Sequence, residues 1–266
     1  MLIITAASLN VYVTIPGMII LYKPRGVTPY QAIMLLKEKE PGLLRETVSY
    51  AGRLDPMAEG LLLLLVGDEN KERRQYEKLE KVYEFEAVLG VSSDSYDLLG
   101  VAKLHEAASY SARQVQSFIE SRKGKIVQTY PPYSSVKIQG RPLYWWTRNK
   151  KRVTLPKKEV EILEFEFLKE QEISKGQLGK LVSDTIPNIV GDFRQKEIID
   201  TWESLLHKLP EKKSFSVLSF RMKCSAGAYV RSMVQEFGEY LGCGAITLSI
   251  KRTQIGEYAL IDAVRI

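Results

Sequence analysis

An unbroken aliphatic run, Leu61–Val66, constrains the fold of this chain more than any other stretch of its sequence. Six aliphatic residues between two glycines are too few to cross a membrane and too continuous for a half-exposed strand. We therefore expect a strand that is buried on both faces. Just before this run Asp55 precedes Pro56, and the residue before a proline is disfavoured in helices. The sequence thus predicts a carboxylate on a tight loop that is supported by a central strand.

The composition is that of a globular protein with an excess of basic residues. The 266 residues are 45% hydrophobic and 26% charged, which allows a substantial core in one large domain or two small ones. A net charge of +6 favours a polyanionic partner, although basic proteins without such a partner also exist. Two cysteines and two histidines, scattered along the chain, are too few for a zinc site or a disulfide framework. We expect no metal and no cofactor.

The N-terminal residues show no targeting signal. Leu2, Ile3 and Ile4 are apolar, but a basic start followed by a long apolar core is missing from the first 17 residues. No stretch of the sequence reaches the length of a membrane span. We therefore predict a cytoplasmic protein, with no membrane and no protein partner implied.

Hydrophobic periodicity predicts both strands and helices along the chain. Strands are predicted at 18–22, 61–66, 81–90, 159–169 and 214–223, and a strand-like segment at 250–258. Helices are predicted after Thr28-Pro29, at 68–81, at 111–122, at 194–208, and from Arg231 to a stop at Gly242. The polar stretch 170–213 separates two strands, and we interpret it as an insertion at the domain edge.

Two further features indicate specific interactions. Residues 130–152 combine a proline pair, hydroxyls, cations and five aromatic side chains, a mixture that suits stacking on RNA and contact with its phosphates. An irregular surface loop anchored by its aromatics is the alternative. Arg231 falls at the start of a helix, where a cation opposes the helix dipole, so we expect it to have a specific carboxylate partner unless it is exposed.

Five segments, in order, resemble the TruB family of tRNA pseudouridine synthases. They are Gly52 to Gly67 with its Gly-x-Leu-Asp-Pro-x-Ala-x-Gly pattern, Lys-x-Tyr at 81–83, Pro-Pro-Tyr-Ser-Ser at 131–135, Gly-x-Tyr-Val-Arg at 227–231, and 250–256. Each segment alone is a weak signal, whereas five in the right order are a strong one. The resemblance covers residues 18–264.

The resemblance implies an α+β pseudouridine synthase fold, with a central mixed and mainly antiparallel β-sheet flanked by helices and loops. It implies one catalytic domain over residues 1–266, with the inserted segment 170–213 and without the C-terminal PUA domain that family members usually carry. The expected activity is isomerisation of uridine to pseudouridine at position 55, in the TΨC loop of tRNA. The expected partner is therefore the T-arm of tRNA.

The resemblance also assigns roles to residues. Asp55 would act at the glycosidic carbon as nucleophile or base, Arg231 would pair with it, and Tyr83 would stack on the flipped uracil and is a candidate for handling its C5 proton. Lys23, with Pro24, would support the catalytic loop, and Tyr229 would line the same pocket. The substrate-binding candidates are Lys23, Tyr50, Arg53, Tyr229, Pro132, Ser134, Lys137, Tyr144 and Arg252.

Two residues depart from the family pattern. Tyr50 stands where a histidine is usual; it can stack on a base but cannot shuttle a proton near neutral pH. Arg53 replaces a small residue and resembles the Arg-Leu-Asp of the RluA and RsuA families. These departures leave two alternatives open: the same chemistry on another RNA, or an RNA-binding or tRNA-folding protein whose catalysis is secondary.

Overall fold

The structure, a computed structural model, describes residues 17–106 and 109–266. The apolar residues Leu2, Ile3 and Ile4 lie outside the described residues. Among the helices described, none is long and apolar enough to cross a membrane.

Strands and helices alternate along the described chain, much as the periodicity predicts. The strands are β1 (Met18–Lys23), β2 (Val48–Ala51), β3 (Ala58–Val66), β4 (Lys81–Leu89), β5 (Val91–Ser93), β6 (Ala102–Leu104), β7 (Gly124–Thr129), β8 (Lys137–Ile138), β9 (Arg141–Pro142), β10 (Lys157–Ser174), β11 (Ser214–Cys224), β12 (Ala245–Ile255), β13 (Tyr258–Ala259) and β14 (Val264–Arg265). The α-helices are α1 (Pro29–Lys39), α2 (Arg73–Lys78), α3 (Ala112–Arg122), α4 (Leu143–Arg148), α5 (Lys175–Thr185), α6 (Gln195–His207) and α7 (Val230–Leu241).

The chain forms two compact units. The first, here the N-terminal unit, comprises the described residues up to Tyr83 together with Lys251–Ile266. The second, here the central unit, is Glu84–Ile250. From the sequence analysis we expect one catalytic domain over residues 1–266. That both units belong to this one domain stays a prediction.

The N-terminal unit is built on a mixed sheet around β3. The strand β1 pairs antiparallel with β3 and parallel with β14, while β2 pairs antiparallel with β3. The strand order in this unit is β14, β1, β3, β12 and β4, with β13 on β12. A mixed sheet with flanking helices confirms the predicted α+β class.

The aliphatic run of β3 is buried on both faces, as predicted. Leu62 and Leu64 pack with α1 on one face, while Leu61, Leu63 and Leu65 pack with residues including Ile255 on the other. All five leucines are 0% exposed. Because a fully buried leucine contributes roughly 1.5–3 kcal/mol, this strand is a stable base for the loop that precedes it.

Local signals define α1 where the sequence predicts it. The Thr28 hydroxyl accepts a hydrogen bond from the Gln31 amide at 3.2 Å, and the Gln31 side chain accepts one from the Thr28 amide at 2.7 Å. This reciprocal cap, with Pro29 at the first helical position, satisfies donors that would otherwise be unpaired. The helix therefore begins close to β1 and directs Ala32, Ile33 and Leu36 onto the sheet.

The central unit contains a second sheet segment and an aromatic core. In this unit β10 lies between β7 and β11 and pairs antiparallel with both. Phe118 on α3 and Phe237 on α7 lie 5.0 Å apart by ring centroids, and Phe237 is 5.4 Å from Phe220 of β11. Both helices therefore pack on the sheet through aromatic rings, which bury large apolar areas.

The predicted insertion extends from the tip of a hairpin. The register of β10 and β11 continues to Ser174 opposite Ser214, and the intervening residues form α5, a short 3₁₀ turn and α6. The predicted helix at 194–208 is confirmed as Gln195–His207. The sequence does not predict α5, although Ser174 and Gln177 form a capping box at its start.

Candidate active site

Asp55 lies on the loop Gly52–Met57 between β2 and β3, here the Asp55 loop. Its backbone carbonyl accepts a hydrogen bond from the Ala58 amide at 3.0 Å, which closes a turn with Pro56 at its second position. The Pro56 carbonyl accepts a second hydrogen bond, from Gly26 after β1, at 2.9 Å. Asp55 itself is partly exposed. The loop therefore holds its carboxylate within reach of solvent on a backbone tied at two points.

Arg252 of β12 ties the same loop from below. Its Nε donates to the Leu61 carbonyl at 2.8 Å, and its Nη1 and Nη2 donate to the carbonyls of Arg53 and Gly52 at 2.9 and 3.3 Å. The side chain is 1% exposed. These contacts assign Arg252 to support of the Asp55 loop. Its expected contact with substrate stays a prediction.

Gly60 allows Arg252 to approach so closely. A Cβ at this position would lie 2.3 Å from the Arg252 carbonyl oxygen and 2.8 Å from its amide nitrogen. The φ angle of Gly60 is also positive, at 108°, a conformation that side chains other than glycine disfavour. The glycine of the sequence pattern is therefore required by the contact between two backbones.

Lys23, at the end of β1, is fully buried, at 0% exposed. Its Nζ donates to the carbonyls of Pro24 and Val27, each at 2.8 Å. Burial lowers the pKa of this ammonium to about 7, and the negative charge of Asp55 opposes that shift. Lys23 thus combines a structural contact in the β1 turn with an electrostatic interaction with the Asp55 carboxylate.

The two residues that depart from the family pattern contact each other. The Arg53 Nη2 donates to the Tyr50 hydroxyl at 3.2 Å, and the Arg73 guanidinium lies 5.5 Å from the Tyr50 ring centroid. Arg53 is exposed and Tyr50 is partly buried. The strand that leads into the Asp55 loop therefore carries an aromatic ring with two cations beside it, a combination suited to a base and its phosphate.

Tyr83 belongs to the same unit, on β4. It is 9% exposed, and the neighbouring Lys81 is 4% exposed, with its Nζ donating to the Glu77 carbonyl at 2.7 Å and to the Leu79 carbonyl. The adjoining backbone is held by a 2.9 Å hydrogen bond from the Gly256 amide to the Glu80 carbonyl. The expected stacking of Tyr83 on a flipped base stays a prediction.

In the central unit Arg231 is buried at the start of α7, at 3% exposed. Its Nη1 donates to the Ser95 carbonyl at 2.8 Å and its Nη2 to the Tyr133 carbonyl at 3.1 Å. Its Nε lies 3.8 Å from the Asp97 Oδ2. We call these three partners the Arg231 cradle. The expected carboxylate near this cation is therefore present, and within the central unit it is Asp97.

Asp97 is not singled out in the sequence analysis. Its Oδ1 accepts hydrogen bonds from the Ser95 hydroxyl at 2.5 Å and the Leu99 amide at 3.0 Å. The one available signal was the need of Arg231 for an acidic partner. Asp55 and Arg231 belong to different units, and the pair that the resemblance implies between them stays a prediction.

Gln128, which the sequence does not single out, orients Tyr229. The Tyr229 amide donates to the Gln128 Oε1 at 2.7 Å, and the Gln128 Nε2 donates to the Tyr229 carbonyl at 2.9 Å. The Tyr130 and Tyr229 rings lie 5.2 Å apart by centroids. This buried glutamine satisfies both backbone groups of Tyr229, so the tyrosine is held just before α7.

The segment 130–152 is more regular than a surface loop. The strands β8 and β9 form a short hairpin with Lys137 opposite Pro142, and α4 follows directly. The Pro132 carbonyl accepts a hydrogen bond from the Thr147 hydroxyl at 2.9 Å, and the Ser134 carbonyl accepts one from the Tyr144 amide at 3.0 Å. Ser134 is buried, whereas Lys137 and Tyr144 are exposed.

An aromatic and cationic cluster, here the Trp145 cluster, lies in the second half of this segment. The Trp145 ring lies 4.7 Å from the Arg141 guanidinium and 4.9 Å from the Lys151 ammonium, and it packs edge-on against Trp146. The Trp146 indole NH donates to the Ile138 carbonyl at 3.2 Å, which joins α4 to the hairpin. The cluster therefore displays two cations on a rigid aromatic base, as contact with nucleic acid requires.

Within the described ranges, no three or more His, Cys, Asp or Glu residues are grouped so that they could hold a metal ion.

Comparison with known proteins connects these residues to a family. Residues 42–178 match the TruB family pseudouridylate synthase (N terminal domain). The tRNA pseudouridine synthase B of Syntrophomonas wolfei subsp. wolfei is 30% identical over 248 residues, covering 93% of this chain and 69% of that protein. The enzyme of the same name from Lactobacillus delbrueckii subsp. bulgaricus is 29% identical over 254 residues, covering 93% of this chain and 71% of that protein.

Solved structures agree on the fold. The crystal structure of a Cbf5-Nop10-Gar1 complex matches 94% of this chain with a TM-score of 0.58 and 18% sequence identity. This chain spans about half of that chain, 52% of its length, and at this identity the match shows the fold alone. The extent of the family match, together with the relative at 30% identity, shows that the chain belongs to the TruB family of pseudouridylate synthases, isomerases that act on uridine in RNA.

Proposed function

We propose that this enzyme isomerises uridine to pseudouridine at position 55 in the TΨC loop of tRNA, with Asp55 as its reacting carboxylate. The observation that carries the proposal is the Asp55 loop, which presents a partly exposed carboxylate on a backbone held by Arg252 and beside the buried Lys23. The substrate class follows from the relatives, which are named tRNA pseudouridine synthase B.

The reaction is an isomerisation, and its atoms balance within the nucleotide. The bond between N1 and C1′ breaks, the uracil rotates, and a new bond forms between C5 and C1′, after which the C5 proton is lost and N1 gains one. Positive charge develops at C1′ as the first bond breaks, and a carboxylate can capture or stabilise it. Asp55 serves this role either as nucleophile at C1′ or as base at the sugar.

The remaining site residues support this carboxylate and the base. Arg231, held by its cradle, favours the ionised form of the carboxylate with which it pairs. Tyr83 stacks on the flipped uracil and handles the C5 proton, while Tyr229 lines the same pocket. Base flipping is needed because C1′ and C5 cannot be reached within a stacked loop, and water has to be excluded because hydrolysis would compete.

The RNA itself binds through residues beside the Asp55 loop and along the segment 130–152. Tyr50 and Arg53 lie beside Asp55, and Pro132, Ser134, Lys137 and Tyr144 belong to the segment that carries the Trp145 cluster. Aromatic stacking contributes about 1–3 kcal/mol per base, and lysine and arginine neutralise phosphates. We propose that the enzyme acts in the cytoplasm, in keeping with its tRNA-modifying relatives.

The test is modification mapping of a tRNA transcript with the wild type and with Asp55→Asn. We expect wild type to form pseudouridine at position 55, and Asp55→Asn to form none while its tRNA affinity stays within about threefold, because no cationic contact is lost. A transcript with position 55 replaced by cytidine is the matched substrate control. Pseudouridine made by Asp55→Asn at the wild-type rate would refute the role of the carboxylate.

Two other outcomes identify the alternative functions. Pseudouridine formed in another RNA but not in the T-arm would show the same chemistry with a different substrate, as Arg53 suggests. Binding of tRNA without pseudouridine would show an RNA-binding or tRNA-folding protein, which the Trp145 cluster favours.

A further inference from the structure

The segment 175–213, here the helical insert, has a small core of its own. It leaves β10 and returns to β11 at adjacent points, where the Lys175 amide donates to the Lys213 carbonyl at 2.8 Å. Buried apolar side chains fill the space between its two helices: Leu178, Val182, Ile186, Ile198, Trp202 and Leu206. The helical insert is therefore an ordered element of the central unit.

The charges of the helical insert do not suit binding to phosphates. Its acidic and basic residues are nearly balanced in number. Three of its six lysines form ion pairs within the insert: Lys175 with Glu211, Lys180 with Asp184 at 2.7 Å and Lys196 with Asp200 at 2.8 Å. Affinity for RNA grows with the number of phosphates that cations neutralise, so this surface contributes little to it.

The turn that precedes α6 instead contacts two segments near the Arg231 cradle. The Arg148 Nη2 lies 2.6 Å from the Asp192 Oδ2, a contact to the segment 130–152. The Arg194 Nη1 and Nη2 donate to the two carboxylate oxygens of Asp94 at 2.8 and 3.1 Å. The same guanidinium lies 4.5 Å from the Tyr133 ring centroid. A two-pronged pairing of this kind is strong and geometrically specific.

The backbone of Arg194 is unusual and supports a specific role. Its φ and ψ angles of 63° and 31° are left-handed, and it begins α6 without a side-chain cap. A left-handed conformation is disfavoured for residues other than glycine and persists where the surroundings require it. Here the conformation accompanies the pairing of the Arg194 guanidinium with Asp94 and Tyr133.

Asp94 and Tyr133 both adjoin the carbonyls that hold Arg231. Asp94 precedes Ser95, whose carbonyl accepts from the Arg231 Nη1, and Tyr133 supplies the second carbonyl. The Tyr133 hydroxyl donates to the Asp94 Oδ2 at 3.3 Å, and the Val101 amide donates to the Asp94 Oδ1 at 2.9 Å. One guanidinium thus joins the two backbone segments of the cradle.

We propose that Arg194 is a positioning residue: by joining Asp94 to Tyr133 it sets the spacing of the two carbonyls that orient Arg231 for catalysis. The inference rests on the proposed function, in which Arg231 serves the reacting carboxylate. The helical insert then acts as a brace that brings Arg194 to the cradle. Because Arg231 acts on the chemical step, loss of Arg194 slows that step and leaves RNA binding largely unchanged.

The test compares Arg194→Ala, Arg194→Lys and the control Lys196→Ala, whose lysine is exposed and paired only within α6. Single-turnover pseudouridine formation is measured with enzyme in excess over tRNA, and affinity is measured separately by filter binding. We expect Arg194→Ala to slow the reaction at least tenfold with less than a threefold change in affinity. Arg194→Lys keeps the charge without the paired fork and should fall between Arg194→Ala and the wild type. Lys196→Ala should match the wild type.

Asp94→Asn tests the same contact from the other side. It should slow the reaction about as much as Arg194→Ala, and the double variant should be no slower than either single one, because both changes remove one contact. If the rate losses of the two single variants multiplied in the double variant, the two residues would act independently and the proposal would be overturned. The proposal would also be overturned if Arg194→Ala reacted at the wild-type rate, or if this variant lost rate, affinity and thermal stability to the same extent. If the wild type forms no pseudouridine, the proposed function is wrong. If the wild type is active and Arg194→Ala is equally active, only the positioning role is wrong.

Discussion

Replacement of Arg252 by methionine tests how the Asp55 loop is held. Methionine has a similar length and is apolar, so the change removes the three hydrogen bonds to the carbonyls of Leu61, Arg53 and Gly52. A hydrogen bond to a charged group contributes about 1.5–3 kcal/mol. The variant no longer has to bury a cation, and the desolvation cost that is saved offsets part of the loss of the three hydrogen bonds. We therefore expect the free energy of unfolding to fall by about 3 kcal/mol.

The loop should also move, because two of the three lost contacts lie directly before Asp55. A displacement of a reacting group by roughly 1 Å can cost about 100-fold in rate. Urea unfolding measures the first effect, as a midpoint lowered by roughly 1 M or more for a slope of about 1–3 kcal/mol per M. Single-turnover pseudouridine formation in buffer measures the second. Lys251→Met, which removes the neighbouring cation, is the matched control and should change stability by less than about 0.5 kcal/mol.

Two results would refute this reasoning. An unfolding midpoint for Arg252→Met equal to that of Lys251→Met would show that the buried guanidinium is not needed for stability. A destabilised variant that forms pseudouridine at the wild-type rate would show that the position of Asp55 does not depend on Arg252.

Two further predictions concern charge. The pKa of Lys23 is lowered by burial to about 7, so between pH 7 and the usual lysine pKa the unfolded chain binds a proton that the folded chain lacks. The free energy of unfolding should therefore rise from pH 7 to pH 9 more steeply in the wild type than in Lys23→Met. The difference in slope, measured by urea unfolding, should be up to about 1.4 kcal/mol per pH unit. Equal slopes would contradict the burial of the Lys23 charge. The double variant Arg141→Ala with Lys151→Ala should weaken tRNA binding and reduce the slope of log affinity against log salt by roughly 0.7–0.9 per lost phosphate contact, whereas Lys180→Ala should leave it unchanged; an unaltered slope in the double variant would remove the Trp145 cluster from the interface.

Most helices and strands could be predicted because their signals are local. The cap of α1 by Thr28 and Gln31 and the stop of α7 at Gly242, whose φ is 73°, act over a few residues. The buried strand β3 could also be predicted, because a half-exposed strand is not so continuously apolar. The helix α5 was missed because Gly176 and Gly179 lower its helical propensity, and its stability comes from packing against α6.

The site was only partly predictable for the opposite reason. Its motifs made Asp55, Tyr83 and Arg231 candidates, and the position of Arg231 at a helix start indicated that it needs an acidic partner. The partners themselves were not visible, because the Ser95 carbonyl that holds Arg231 lies 136 residues away in the chain. Nothing in the local pattern around Asp94, Asp97 or Gln128 distinguishes them from ordinary polar loop and strand residues.

The adjacent cations Lys251 and Arg252 show the difference between what the sequence determines and what only the tertiary structure determines. Sequence alone determined the strand and its alternation, because backbone preferences and hydrophobic period act between near neighbours. The five ordered motifs indicated the family. Only the tertiary structure decided that Arg252 is buried under the Asp55 loop, that Lys23 lies beneath the same carboxylate, and that Arg194 reaches Asp94. The physical reason is that the energy of a buried charge depends on which distant carbonyls and carboxylates surround it, and the fold alone brings these together.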